Sequence, residues 1–406
     1  MQIEEFYRQL APADLALLQR YLQRRRSEQP AAAAPRFNVV LDILHDCNLN
    51  CIGCGTNARR LPTGAAPTCH MTAEKVRVLC EKIRDCARVR GQDVFINIGG
   101  GEPFLCTDIQ EILAVVSGCF GPQSVGIDTN ATLSDSLEQI RKALPCLGYI
   151  GISVNGLREY HNRWSGRPEI DPYGRSMGVV QDLCRDPRAR DKLEVTSVAT
   201  RENIRELPLL MEELAAAGVR RYSVHRAIPV GRMARHTELL PNAMEYLDLL
   251  LGLIRAEEKT GMRFHLHHSI ENIHRALLFG DTTYDTTKAG DRNPQSSIGI
   301  GVEGSVVFDA WCMAQPWCRL TCGNIYADDT PLQTMLDDPE TPFSRASRAA
   351  VSDKRCGGCP HPCAGGSRVV AAAAALNGSC AGEEELIRAF EGIDPACPLY
   401  GRCSDI

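Results

Sequence analysis

The chain has 406 residues, of which 44% are hydrophobic, and a formal net charge of -5. That length fits two domains, or one large domain with an appendage, and the mild acidity supplies no basic field to hold phosphate backbones, so nucleic acid is set aside as a partner. No apolar run reaches the roughly 18 residues that span a bilayer, and MQIEEFYRQL lacks the charged-then-apolar order of a signal peptide, so a cytoplasmic protein without a membrane partner is expected.

Residues 1–27 carry helical apolar spacing through Phe6, Leu10, Leu15, Leu18 and Leu22, and AAAAP at 31–35 reads as a linker. Strand-like runs then alternate with helical periodicity. The runs are NVVLDIL (38–44), DVFINI (93–98), SVGIDT (124–129), YIGISV (149–154), LEVTSVA (193–199) and RRYSVHRA (220–227). Helices are expected near 72–88, 107–117, 133–143, 174–184, 203–217 and 242–258. Six strand-then-helix units in series imply a parallel sheet with helical crossovers, doubly wound or curled into a barrel, with ligands at the strands' C-terminal ends. DCNLNCIGC (46–54), GGGEP (99–103), TNAT (129–132), VNG (154–156) and RAIPVGR (226–232) follow strands one, two, three, four and six. All five therefore point into one mouth. The segment DTTYDTTKAGDRNPQSS after about residue 280 reads as a linker, and IGIGVEGSVVFDAWC as a hairpin that delivers Cys312. VVAAAAAL (369–376) reads as a packed helix.

The chain has 19 cysteines, ten at or before Cys184 and the other nine from Cys312 onward. Without an export signal they point to metal ligation rather than to a disulfide framework, and two sites would give that distribution. Cys69, Cys80, Cys86, Cys119, Cys146 and Cys184 stand singly and are expected to be packed thiols. Cys47, Cys51 and Cys54 stand together with no fourth cysteine near. A [4Fe-4S] cluster takes four thiolates, so three leave one iron with an open position, whereas a zinc site would be closed by a distant residue such as His45. His265 and His267 fall on one face of an expected strand, as a metal or substrate contact or as a polar edge.

The C-x3-C-x2-C loop of Cys47, Cys51 and Cys54 and the glycine-rich Gly99, Gly100, Gly101 and Glu102 resemble the motifs of radical SAM enzymes. The resemblance implies a partial (β/α)6 TIM-like barrel, an α/β fold, whose open iron chelates S-adenosylmethionine. Reductive cleavage then gives a 5'-deoxyadenosyl radical, with electrons from a flavodoxin- or ferredoxin-type donor. TNAT with Asn130, ISVNGLREYH with Ser153 and Asn155, and RAIPVGR with Arg232 resemble further cofactor-binding segments of the family. Asn155 replaces the usual Asp, and Gly53 replaces the aromatic that usually packs on adenine. Cys106, just after the glycine motif, is a candidate hydrogen donor to a substrate radical.

Cys356, Cys359 and Cys363, with DPAC ending at Cys397, resemble the family's SPASM extension. By that likeness these four ligate an auxiliary [4Fe-4S] cluster, with Cys380 the substitute for Cys397. Ser367 stands where a further cysteine is usual, and Cys312, Cys318 and Cys322 with Cys380 or Cys403 form a candidate second site. One or two auxiliary clusters are thus implied, with a helical extension at 1–34, a barrel at 35–280 and a SPASM-like domain at 281–406. Fewer residues precede strand one than a leader-peptide-binding module needs. A small polar natural-product intermediate is therefore expected as substrate ahead of a ribosomally made peptide. A non-catalytic iron-sulfur or zinc protein would not need GGGEP, TNAT and VNG at one mouth.

Overall fold

A computed structural model describes residues 3–27, 36–62, 64–67, 71–267, 270–280, 297–327, 329–351, 367–376 and 382–398. Cys69, Cys356, Cys359, Cys363, Cys380, Cys403 and the linkers at 31–35 and 281–296 lie outside these residues.

Seven parallel strands run in chain order through one sheet. They are β1 (Arg36–Asp42), β2 (Asp93–Gly99), β3 (Val125–Thr129), β4 (Tyr149–Ser153), β5 (Leu193–Ala199), β6 (Arg221–Arg226) and β7 (Arg263–Leu266). The crossovers include α3 (Ala73–Arg90), α4 (Ile109–Phe120), α5 (Ser136–Ala143), α7 (Pro172–Arg185), α8 (Leu207–Ala216) and α9 (Ala243–Thr260). Their ends are set by local chemistry. The Thr72 side chain accepts from the Lys75 N–H to start α3, and an Asn242/Glu245 capping box starts α9. The six expected strand-then-helix units are therefore present.

Three further strands extend the sheet beyond β1: β8 (Ser297–Ile300), β9 (Ser305–Val307) and β10 (Thr321–Asn324), in the order β10-β9-β8-β1-β2-β3-β4-β5-β6-β7. The expected hairpin is β8–β9, and β8 lies parallel to β1 with Val39 opposite Ile298. The C-terminal residues thus continue the barrel's own sheet. VVAAAAAL falls in a helix, Arg368–Leu376, as its composition suggests.

One face of the strands is apolar and sealed. Val39, Ile96, Ile127, Ile150, Val195 and Val224 are all 0% exposed in the main core. The period of two then sends Asn97, Asp128, Glu194, Ser223 and His265 to the opposite, concave face. The N-terminal helices α1 (Ile3–Tyr7) and α2 (Pro12–Ser27) strap α10 (Ile270–Phe279): the Tyr7 hydroxyl and His274 Nδ1 are 2.8 Å apart, and the Tyr21 hydroxyl donates to Glu271 at 2.7 Å. No helix among the described residues is long and apolar enough to cross a membrane.

The barrel is fastened to the C-terminal segment by a buried ion pair. Arg226 Nη1 donates to Asp394 Oδ2 at 2.8 Å with both side chains at most 1% exposed, and the guanidinium lies 4.7 Å from the Tyr246 ring centroid. Asp394 also accepts from the backbone N–H groups of Ser367 and Ala396. Asp394→Ala would leave the guanidinium buried without its counter-charge, so stability should fall by roughly 3–5 kcal/mol. A denaturant midpoint unchanged by Asp394→Ala would remove the latch from the fold's stability.

Candidate active site

The cysteine loop leaves β1 and is fixed from three sides before any cofactor is considered. Within the loop, the Arg59 N–H donates to the His45 carbonyl at 2.7 Å and the Leu61 N–H to the Cys47 carbonyl at 2.8 Å. From β2, Gly101 N–H donates to the Leu44 carbonyl and Glu102 N–H to the Asp46 carbonyl, each at 2.9 Å. Beyond β6, Arg232 donates from Nε to the Cys51 carbonyl (2.7 Å), from Nη1 to the Ala58 carbonyl (2.6 Å) and from its backbone N–H to the Cys54 carbonyl (2.9 Å). Arg232, expected to hold the cofactor, therefore clamps the loop through its backbone.

The glycine motif has a similar task. A Cβ on Gly101 would sit 1.8 Å from the Asp46 carbonyl oxygen, and one on Gly100, whose φ is +114°, 2.5 Å from the Leu44 oxygen. The missing side chains thus let the loop lie on the end of β2. Gly99 closes β2 beside Asp42, which burial pushes up to about 7. Glu102 is 1% exposed and accepts from Thr129 Oγ1 (2.6 Å), the Asn130 N–H (2.8 Å) and the Phe104 N–H (3.3 Å). It ties the ends of β2 and β3 together, and burial pushes its carboxyl up to about 7.

Three thiols end up at the mouth as near neighbours. Burial and then the neighbouring Cys51 push Cys47 up, and burial and then Cys54 push Cys51 up to about 12. Backbone donors already address the sulfurs: Leu49 N–H to Cys47 Sγ at 3.4 Å and Ala58 N–H to Cys54 Sγ at 3.3 Å. Asn130 Nδ2 lies 3.7 Å from Cys47 Sγ. Among the described residues no three His, Cys, Asp or Glu side chains could share a single metal ion. Thiols that feel one another and receive N–H donors suit ligation of a metal centre, an iron-sulfur cluster included.

The space beside Gly53 is filled from another element. A Cβ there would meet Trp164 Cη2 at 2.3 Å and Met233 Cε at 2.5 Å. Trp164 closes α6 (Arg158–Trp164), and its carbonyl accepts from the Ile52 N–H at 2.9 Å. It stacks on Tyr160 at 5.9 Å, and with Ala227 and Met233 these rings form an apolar cluster separate from the main core, packed against Cys51 and Ile52. On the other side of the loop, Gly55 faces Trp311, with an added Cβ 3.3 Å from its Cζ3. Sequence reasoning passed over Trp164 and Trp311; the absent aromatic at Gly53 was the signal that a ring had to come from elsewhere.

Of the remaining expected residues, Ser153 ends β4 half-buried, and Asn155 Oδ1 accepts from the Val198 N–H at 2.7 Å, joining β4 to β5. The Asn155 N–H donates to Nδ1 of His161, whose pKa burial lowers to about 4. Cys106 is 2% exposed in the main apolar core, where burial pushes its thiol up to about 11. Packing, not access to the mouth, describes it. Cys397 is buried near Tyr7. Cys312 is buried and Cys318 half-buried, while Cys322 lies within electrostatic reach of Arg90 and Cys86 on α3, its thiol pushed by burial up to about 12. The described cysteines form no disulfide. Ser367 is fully buried and its Oγ accepts from the Val370 N–H at 3.3 Å, so it caps a helix where a thiol was expected by likeness.

Residues 42–186 match the family model described as the Radical SAM superfamily. The Fe-coproporphyrin III synthase of Methanosarcina barkeri is 24% identical over 300 residues, 71% of this chain and 70% of that protein. Two solved structures share the fold. AnSMEcpe with bound AdoMet covers 88% of this chain and 96% of its own, at 15% identity and TM-score 0.60. Streptococcus suis SuiB bound to the precursor peptide SuiA covers 80% and 69%, at 14% identity and TM-score 0.55. The domain match and the thiol loop at the mouth of the parallel sheet agree: residues 42–186 of this enzyme form a Radical SAM superfamily domain, and the cofactors of that family are a [4Fe-4S] cluster and S-adenosylmethionine.

Proposed function

We propose that the enzyme abstracts a hydrogen atom from a small polar molecule, of the sugar, aminocyclitol or nucleoside kind, held in the barrel lumen. The outcome would be oxidation, epimerisation or sulfur insertion. Cys47, Cys51 and Cys54 would hold the cluster, and Asn130 would face it. Bound there, the cluster supplies the electron that cleaves S-adenosylmethionine to the 5'-deoxyadenosyl radical. The chain's own part is to orient and to exclude water. Arg232, Gly100 and Gly101 keep the thiols in register, Trp164 and Met233 give the adenine an apolar wall in place of a ring at Gly53, and Asn155 holds β4 to β5 beneath them. The reading includes a flavodoxin- or ferredoxin-type donor, a reducing cytoplasm, and an auxiliary cluster on Cys356, Cys359 and Cys363 with Cys397, or with Cys380 in place of Cys397.

The observation that carries the small-molecule reading is the polarity of the lumen. Asn97 Nδ2 donates to Asp128 Oδ2 at 2.6 Å, Asp128 also binds the Tyr149 hydroxyl, and Ser223 Oγ donates to Glu194. A concave face carrying paired donors and acceptors suits a polar ligand better than apolar peptide side chains. A ribosomally made peptide is the second reading, favoured by the SuiB structure with its precursor peptide. To separate the two, the reduced, cluster-loaded enzyme is given either a metabolite fraction below about 1 kDa or a peptide-rich fraction of the same extract, and 5'-deoxyadenosine is measured. The metabolite fraction should raise its rate by about tenfold or more, within the range that substrate positioning contributes; stimulation by the peptide fraction alone would refute the small-molecule reading.

Gly53→Ala should weaken S-adenosylmethionine binding by about tenfold, because the new methyl must displace Trp164 or the loop. Gly53→Phe combined with Trp164→Ala, which moves the ring back onto the loop, should recover most of it. Unchanged affinity in Gly53→Ala by equilibrium dialysis would count against Trp164 as the wall.

A further inference from the structure

Three imidazoles at the ends of the neighbouring strands β6 and β7 form a continuous row with the indole of Trp311, which follows β9. His265 and His267 share a face, and their ring centroids lie 4.1 Å apart at 74°. His267 stacks on His225 of β6 at 3.9 Å and 10°, held in register by its N–H donating to the Val224 carbonyl at 2.9 Å. His225 meets Trp311 at 6.4 Å and 61°, and Trp311 reaches back to Gly55 of the cysteine loop. The other face of these strands, Val224 and Leu266, is buried in the core, so the row lines the lumen on the side of Ser223 and Glu194. It runs from the cysteine loop into the barrel, where a substrate would have to lie.

We propose that His265, His267, His225 and Trp311 are the substrate-recognition wall of this lumen, and that the wall takes an uncharged ring bearing hydroxyl or amide groups. This rests on the small-molecule reading above and names its contacts. Two imidazoles stacked 3.9 Å apart cannot both carry charge without strong repulsion. Burial independently holds His225 down at about 4, in the neutral form. A neutral imidazole offers one N–H and one lone pair, which matches a group that both donates and accepts, such as a hydroxyl or an amide. A carboxylate would ask for two donors or a cation. The arginines of the concave face, Arg36, Arg221 and Arg263, begin β1, β6 and β7, at the end of the strands away from the mouth. Of the carboxylates on that face, Asp128 is engaged with Asn97 and Tyr149 and Glu194 with Ser223, while Asp42 at the end of β1 is buried, which pushes its carboxyl up to about 7 towards the neutral form. Trp311 adds a flat apolar surface for the C–H face of a ring.

The test is anaerobic calorimetry on cluster-loaded enzyme with S-adenosylhomocysteine in the cofactor site. The probes are myo-inositol and uridine as neutral ligands, glucuronate and orotate as anionic ones. At least one neutral probe should bind about tenfold more tightly than either anion. His267→Leu should weaken it by about tenfold, while His267→Gln, which keeps a donor and an acceptor, should stay within about threefold of wild type. If His267→Leu does not fold, Trp311→Ala takes its place with the same expected loss. Neutral-probe binding that survives these substitutions would overturn the wall and leave the small-molecule reading standing. Preference for the anions would overturn the uncharged class. Binding of none of the four at roughly 20 mM, a range in which affinities are already negligible, would overturn the proposal.

Discussion

Everything at the mouth depends on holding one loop of backbone still. Three thiols can serve one cluster only if the loop brings them together, and burial favours their neutral form. The chain meets that constraint with carbonyl oxygens rather than side chains: Leu44 and Asp46 accept from β2, Cys51, Cys54 and Ala58 from Arg232, and Trp164 returns the favour to Ile52. Gly100 and Gly101 are the complement of that arrangement, since any Cβ at Gly101 would occupy the space of the Asp46 carbonyl. A motif that reads as a cofactor cradle is thus first a seat for the loop.

The C-terminal residues are tied to the same frame twice. β8 extends the sheet past β1, and Asp394 binds Arg226 at the end of β6 while organising Ser367 and Ala396. Cys397 follows three residues after Asp394, its N–H donating to the Asp394 carbonyl at 2.8 Å. A thiol placed this way is oriented by the barrel itself. Trp311, from the same C-terminal stretch, reaches the cysteine loop and the lumen histidines together.

The parts legible in the sequence were those whose chemistry is local. Cys47, Cys51 and Cys54 sit within one loop, and strand alternation in DVFINI or LEVTSVA is visible without tertiary context, so the parallel sheet and its mouth could be read directly. What stayed hidden depends on meetings between distant segments. Trp164 fills the place left at Gly53, Arg226 finds Asp394, and His225 stacks on His267 only because β6 and β7 pair in one register. Glu102 and Arg232 were found, but their hydrogen bonds to Thr129 and to the Ala58 carbonyl were not legible, because a motif names a residue without showing which atoms surround it. Ser367 was read as a missing ligand, whereas its burial and capping bond give it a structural task.

The central claim is that the thiols of Cys47, Cys51 and Cys54 hold a cluster whose remaining iron is open to the amino and carboxylate groups of S-adenosylmethionine. Pulsed electron paramagnetic resonance of the reduced protein with isotopically labelled S-adenosylmethionine measures that contact. A hyperfine coupling from the labelled amino nitrogen to the cluster, absent from Cys51→Ala, is expected. A reduced cluster with no such coupling at saturating S-adenosylmethionine, or a coupling that persists without Cys51, would contradict it.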